Sequence, residues 1–220
     1  MKILITGAGS GIGKACARHL ACSHDVIAID QAELDLRDET AVQAFSDQPH
    51  DIDALVYCAG MRDIETPHTL SRKTWNDIFS VNLTANFLLS QSLIRQAIER
   101  QKSLSIVNLT SVSGFQAEPD RAAYVASKHA LTGLTRQLAW QYGAQGVRVN
   151  AIAPGIIETP LTQAYFADPE RVAQLQAAIP VGYWGQPAHI LPLVDLCLTH
   201  AYMNGAVLVC DGGWTTGRNL

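Results

Sequence analysis

Short continuous apolar runs alternate along the chain with longer stretches whose apolar positions recur every three to four residues. The short runs read as strands buried on both faces, and the longer ones as helices packed on one side. Strands are predicted at 2–6 (KILIT), 25–30 (DVIAID), 53–60 (DALVYCAG, ending in a turn), 104–111 (LSIVNLTS), 147–154 (VRVNAIAP) and 206–213 (AVLVCDGG). Helices are predicted at 11–22, from ETAVQAF at 39, at 71–101 as two helices meeting near 80–82, at 121–143 and at 187–200, while 160–178 is polar and loosely helical. Strand and helix in alternation imply an α/β fold, a parallel sheet doubly wound with helices on both faces. No repeat, linker or low-complexity segment divides 1–220, so one domain is expected.

One join breaks the rhythm. Asp30 ends the second strand and ELDLRD follows after only Gln31 and Ala32. A parallel crossover needs a dozen or more residues. The third strand and its crossover helix are therefore expected to be reduced or absent.

Composition narrows the function classes. Of 220 residues, 48% are apolar and 16% charged, with a net charge of −4 and no basic run. Such a chain has no electrostatic footprint for nucleic acid. No apolar run approaches a membrane span, and the N-terminus lacks a secretory pattern. The cysteines are scattered, with no zinc or disulfide spacing. A cytoplasmic protein with reduced thiols is the expectation, and no metal site.

TGAGSGIG at 6–13 follows the first strand and opens the first helix. Glycines let a backbone turn tightly and approach a pyrophosphate, which a helix N-terminus attracts. This predicts dinucleotide binding by Gly7, Gly9, Ser10, Gly11, Ile12 and Gly13. Asp30, at the end of the second strand, can accept both adenosine ribose hydroxyls and would repel a 2′-phosphate. Neither the residue before Gly11 nor the one after Asp30 is basic. NAD is therefore favoured over NADP.

YVASK at 124–128 places Tyr124 and Lys128 one turn apart on a predicted helix. Such a pair reads either as a solvated helix face or as chemistry, because a neighbouring cation favours an ionised phenol. A phenol that ionises more easily is a usable acid or base.

Taken in order, TGAGSGIG, CAG at 58–60, Asn82, NLTS at 108–111, YVASK, PGIIET at 154–159 and DGG at 211–213 make the chain resemble the short-chain dehydrogenase/reductase family along nearly its whole length. The resemblance implies a Rossmann-type fold and an NAD-dependent oxidoreductase acting on a secondary alcohol or ketone. It implies that Tyr124 is the acid/base, that Lys128 lowers its pKa and holds the nicotinamide ribose, and that Ser111 bonds the substrate oxygen. Asn82 would hold a water linking Lys128 to solvent. Asp35 and Leu36 would flank the adenine, Cys58, Ala59 and Gly60 would line the adenosine side, and Asn108 and Thr110 would lie beneath the nicotinamide ribose. Pro154, Gly155, Ile157 and Thr159 would cradle the nicotinamide amide. A faint resemblance to the hydroxysteroid dehydrogenase/carbonyl reductase branch accompanies this. Tyr57-Cys58 stands where the family has Asn-Asn, which puts sheet bracing near the adenine in doubt.

The resemblance leaves other readings open: a non-catalytic NAD-sensing regulator on the same fold, an NADPH-dependent 3-oxoacyl-thioester reductase, and an extended-type epimerase or dehydratase. Substrate choice is expected to lie in 160–182. There Tyr165, Phe166, Tyr183 and Trp184 read equally as substrate cover or as packing, and Arg171 alone is too little for an acidic substrate. Val112, Ser113, Phe115 and Gln116 are expected in the same pocket. Relatives often pair the helices at 82–101 and 121–143, so a homotetramer is expected, with a dimer as alternative.

Overall fold

The computed structural model describes residues 1–166 and 169–217. Six parallel strands form one sheet in the order β2-β1-β3-β4-β5-β6. They are β1 (Lys2–Thr6), β2 (Asp25–Ile29), β3 (Ala54–Tyr57), β4 (Leu104–Leu109), β5 (Val147–Pro154) and β6 (Val207–Cys210). Side chains alternate across the pleat. Leu4, Leu55, Ile106 and Val149 face a core shared with α2 (Glu39–Ser46), α4 (Ala85–Glu99) and α5 (Ala122–Tyr142). Ile3, Ile5, Val107 and Ile152 face a second core closed by α1 (Gly11–Leu20) and α7 (Leu191–Thr199). Strands hemmed in on both sides this way must be apolar throughout, as their sequences are.

The expected gap is real. Residues 31–38 contain no strand, and β2 forms the sheet's edge. Leu34 and Leu36 turn inward and bury beside Ile29 and Val81. The chain re-enters regular structure at α2, whose N-cap Asp38 accepts the Ala41 amide at 3.0 Å.

The long helical stretch is continuous rather than broken. α3 (Arg72–Phe79), capped by Ser71, runs through a π-turn at Ser80–Thr84 into α4. In that turn the Ala85 amide reaches back five residues to the Ser80 carbonyl. Beyond β5, a 3₁₀ run (Pro160–Phe166) and α6 (Pro169–Ala177) precede α7. Among the described residues no helix is long and apolar enough to cross a membrane, and no group of side chains could hold a metal ion.

Candidate active site

Sheet order reverses between β1 and β3, and a cleft opens at the strands' carboxyl ends there, as the switch-point rule requires. Its floor is the glycine loop. Gly7 has φ +66°, and a β-carbon on it would stand 2.8 Å from the Ala59 backbone. On Gly13 a β-carbon would meet the Gly7 carbonyl at 2.1 Å. Ser10 makes no side-chain cap bond to α1. The helix's first-turn amides therefore stay open to an anion, with Gly11 and Ile12 at the cleft wall.

At the adenosine end, a β-carbon on Gly9 would lie 2.5 Å from Asp30 Oδ2, so the carboxylate rests directly over the loop. The Ala32 amide donates to Asp30 Oδ1 at 2.8 Å, and the Asp30 amide donates to Glu33 Oε2 at 2.9 Å. The Ala32 amide first, then Glu33, hold the Asp30 carboxyl below its usual range. Asp35 and Leu36 line the same end, as do Ala59 and Gly60. Arg37 donates to Asp35 through Nε at 2.9 Å and Nη2 at 2.5 Å, which brings Asp35 down to about 2. The single nearby guanidinium among the lining residues is thus already neutralised, and Asp30 and Glu33 set the local charge.

At the other end, the first turn of α5 carries Tyr124. Arg121, at the N-cap position, provides no side-chain cap. Asp63, buried in the loop after β3, accepts the Ala123 amide at 3.2 Å and the Tyr124 amide at 3.0 Å. A carboxylate at a helix N-terminus satisfies orphan donors and suits the dipole. Lys128 lies one turn on. Its ammonium sits 5.7 Å from the Tyr124 ring centre and donates to the Leu109 carbonyl at 2.8 Å. Burial draws Lys128 down to about 8. Burial also pushes Tyr124 up to about 12, opposed by the Ser111 hydrogen bond, raised further by Glu118 and lowered by Arg62. The Lys128 ammonium lies over the ring and donates to Leu109, and desolvation is the largest influence on the phenol.

Ser111 follows β4. Its hydroxyl meets the Ser113 hydroxyl at 3.0 Å, and Ser113 in turn donates to Glu118. Asn82 is fully buried and spends its amide on protein groups. Its Nδ2 donates to the Met61 carbonyl at 2.8 Å and to Ser127 Oγ at 2.9 Å, and its Oδ1 accepts the Met61 amide at 2.7 Å. A β-carbon on Gly60 would lie 3.6 Å from Asn82 Oδ1 and 3.7 Å from Lys128 Nζ. The π-turn therefore aims Asn82 at the loop that passes under Lys128.

Cys58, Thr110, Pro154, Gly155, Ile157 and Thr159 line the cleft around Tyr124 and Lys128, as expected. Thr110 Oγ1 donates to the Ile152 carbonyl at 2.9 Å. Asn108 is bonded within the sheet-helix core, to Asn86 at 2.8 Å and Thr135 at 3.0 Å, and braces rather than lines. The doubt raised by Tyr57-Cys58 resolves in favour of bracing. The Tyr57 hydroxyl donates to the Val81 carbonyl at 2.5 Å, and the Ala59 amide to Thr6 Oγ1 at 3.2 Å. Cys58 is held well above its ordinary value, first by the Cys16 side chain and then by burial.

A second cavity adjoins Ser111 and Tyr124 on the side away from the glycine loop. Of the residues expected there, Val112, Ser113 and Tyr165 line it, whereas Phe115 is exposed and Gln116 is not part of the wall. Phe166 packs edge-on against Trp184 at 5.1 Å, and Tyr183 is exposed. The even expectation for the four aromatics thus divides, with only Tyr165 facing the cavity. Sequence reasoning missed Arg62, Asp63, Glu118 and Arg121. The Arg171 side chain lies outside the described residues.

The residues present fit a nicotinamide dinucleotide: a side-chain-free floor, a helix N-terminus without a side-chain cap and a carboxylate over the glycine loop. Comparison with known proteins agrees. Residues 26–215 match the family model adh_short_C2, described as enoyl-(acyl carrier protein) reductase. A 2-dehydro-3-deoxy-D-gluconate 5-dehydrogenase of Bacillus subtilis (strain 168) is 32% identical over 239 residues, covering 96% of this chain and 93% of its own. A solved 4-hydroxyisoleucine dehydrogenase complexed with NADH superposes with a TM-score of 0.95 at 36% identity, over 99% of both chains. A Beutenbergia cavernae structure with bound NADP superposes at 0.93 with 33% identity, over 98% of this chain and 97% of that one. The glycine loop, the Tyr124–Lys128 turn and these matches lead to one conclusion: the chain belongs to the short-chain dehydrogenase/reductase family, whose relatives here are alcohol/ketone oxidoreductases using a nicotinamide cofactor.

Proposed function

We propose that the protein is an NAD(H)-dependent oxidoreductase interconverting a secondary alcohol and a ketone, with Tyr124 as the acid/base. The observation that carries this is the convergence of Ser111, Tyr124 and Lys128 at the junction of the two cavities. The bound cofactor supplies the hydride acceptor or donor. In the oxidative direction Tyr124 takes the hydroxyl proton as the carbinol hydrogen leaves with its electron pair. Ser111 holds the same oxygen and steadies its developing charge. Lys128 favours the phenolate once its ammonium turns from Leu109 to the ribose hydroxyls. Asn82, through Met61 and Ser127, positions the loop under Lys128.

NAD is supported over NADP by Asp30, a carboxylate in the wall at the glycine loop with Glu33 bonded behind it, and by the pairing of Arg37 with Asp35. The NADP in the Beutenbergia cavernae structure keeps the alternative concrete. Titration with NADH and NADPH, followed by cofactor fluorescence, tests it: NADH should bind at least tenfold more tightly. Equal or reversed affinities would remove Asp30 as the ribose reader. The names of the two enzyme relatives describe hydroxy or oxo acids, which sets the range of first test substrates.

Five free cysteines support a reducing compartment, the cytoplasm. The exposed Trp140 on α5 and Phe87 on α4 support a homotetramer, or a dimer, joined through those helices. Light scattering of the purified protein decides between them.

A further inference from the structure

The cavity beyond Tyr124 is lined by charges that form no ion pair among the described residues. Its volume is only about 50 Å³, well below the roughly 300–1,000 Å³ common for whole ligand pockets, so it has room for one end of a small substrate whose remainder lies in the adjoining cleft. Arg121 is 6% exposed. Its guanidinium donates to the Asp63 carbonyl at 2.7 Å, the Asp120 carbonyl at 3.3 Å and the Tyr165 hydroxyl at 3.0 Å, all uncharged acceptors. Among the described residues it forms no ion pair. A guanidinium stays protonated and brings five donors, so two remain unused. Arg62 stacks on Tyr165, its guanidinium 4.6 Å from the ring centre, again with no ion pair among the described residues. Tyr165 accepts from Arg121, which leaves its own proton to donate.

A buried cation without a counterion is expensive, and removing its partner commonly costs several kcal/mol. Two guanidiniums and a free phenol proton converging on one cavity therefore describe half of an ion-pair site. Arginine's planar fork suits a carboxylate. The same cavity is lined by Glu118, engaged by Ser113 and likewise without an ion pair among the described residues. Ser111 and Tyr124 line it too, with Val112, Leu161 and Trp214 providing apolar surface.

Building on the oxidoreductase reading, we propose that the substrate is a small hydroxy or oxo carboxylic acid, its carboxylate held by Arg62, Arg121 and Tyr165 and a further donor group on its chain facing Glu118. This assigns substrate recognition to the loop after β3 and the start of α5, not to the 160–182 segment alone, and it reverses the sequence expectation that an acidic substrate lacks support.

The test uses the full protein loaded with NADH and two matched probe pairs: succinate against succinamide, and D-gluconate against D-glucitol. Calorimetry should show at least one acid binding at least tenfold more tightly than its neutral counterpart. Arg62→Gln, which breaks no hydrogen bond within the described protein, should weaken the acid at least tenfold while leaving NADH affinity unchanged. Arg121→Gln should do the same if it folds. Glu118→Gln should weaken gluconate, which carries hydroxyl donors, and leave succinate unchanged or tighter. The proposal is overturned if neutral probes bind as well as the acids, if neither acid binds, or if Arg62→Gln leaves the bound acid's affinity intact. Failure of NADH itself to bind would instead sink the oxidoreductase reading. NADH binding with oxidation of neutral alcohols alone would sink only the carboxylate assignment.

Discussion

At the glycine-loop end of the cleft, the charged side chains come from one stretch of chain, Asp30 to Arg37, and their net charge is negative. At the other end the lining comes from the loop after β3, the turn after β4, the start of α5 and the 3₁₀ run after β5, and it includes two cations without an ion pair among the described residues. The first end is a local motif on a strand-turn-helix unit. The second is a tertiary assembly whose members meet only because the sheet brings them together. A cofactor common to a family can be read by a local motif, whereas a substrate peculiar to one member is read where loops from different strands converge.

Substitutions at each end should separate these roles. The largest effect is expected at the join between them. Tyr124→Phe should lower kcat by roughly 10²–10⁴-fold, the usual range for a lost general acid/base, with NADH affinity changed little. If the drop is instead matched by loss of NADH binding, Tyr124 is holding cofactor rather than moving a proton. On the NAD reading, Asp30→Ala removes charge-assisted hydrogen bonding to the ribose worth about 1.5–3 kcal/mol in total. NADH should weaken by roughly 10–100-fold, and the discrimination against NADPH should collapse. A variant that still prefers NADH by the original margin would shift the reading to Glu33.

Asp63→Ala touches no cofactor but uncaps α5. A lost cap costs about 1–2 kcal/mol, which lowers Tm by about 3–6 °C in a chain of this size. The fall in kcat should exceed what the small loss of folded protein explains, because Tyr124 loses its backbone anchor. Unchanged turnover would show that α5 holds Tyr124 without Asp63. The smallest effect concerns Lys128, whose folded value of about 8 lies below its ordinary 10.5. Between those values the unfolded chain binds more protons, so this residue's contribution to stability rises with pH. Below pH 8 the cost of burying its charge is fully present. Lys128→Met should therefore gain most in Tm, relative to the parent, below pH 8, and the gain should fade toward pH 10. A difference independent of pH would mean the folded site leaves Lys128 at its ordinary value.

Legibility follows the same division. The six strands, the absent third strand and the glycine loop were readable because each depends on neighbours in sequence: apolar runs, a join too short to cross over, glycines between strand and helix. Asp30 and YVASK were readable for the same reason. Asp63 was not, because a cap normally sits beside its helix and this one arrives from 60 residues away. Arg62 and Arg121 belong to no motif, and only Tyr165, which both contact in the fold, reveals that they share a cavity. The predicted break near 80–82 was half right: the helix does change there, but by widening one turn rather than by ending.

That widened turn has a consequence for how the molecule tolerates length change. An α-helix advances 100° per residue, so one residue absorbed without advance lets the segments on either side keep independent phases. α3 can direct Ile78 inward while α4 directs Ala85, Leu89 and Leu93 into the core. Deleting a single residue between Ser80 and Thr84 would close a regular helix with the apolar stripes of both segments still facing the core. It would also carry Asn82 away from Met61. The π-turn acts as a phase adjuster, and the spacing between the substrate-facing loop and the long interior helix is tuned by one residue of slack.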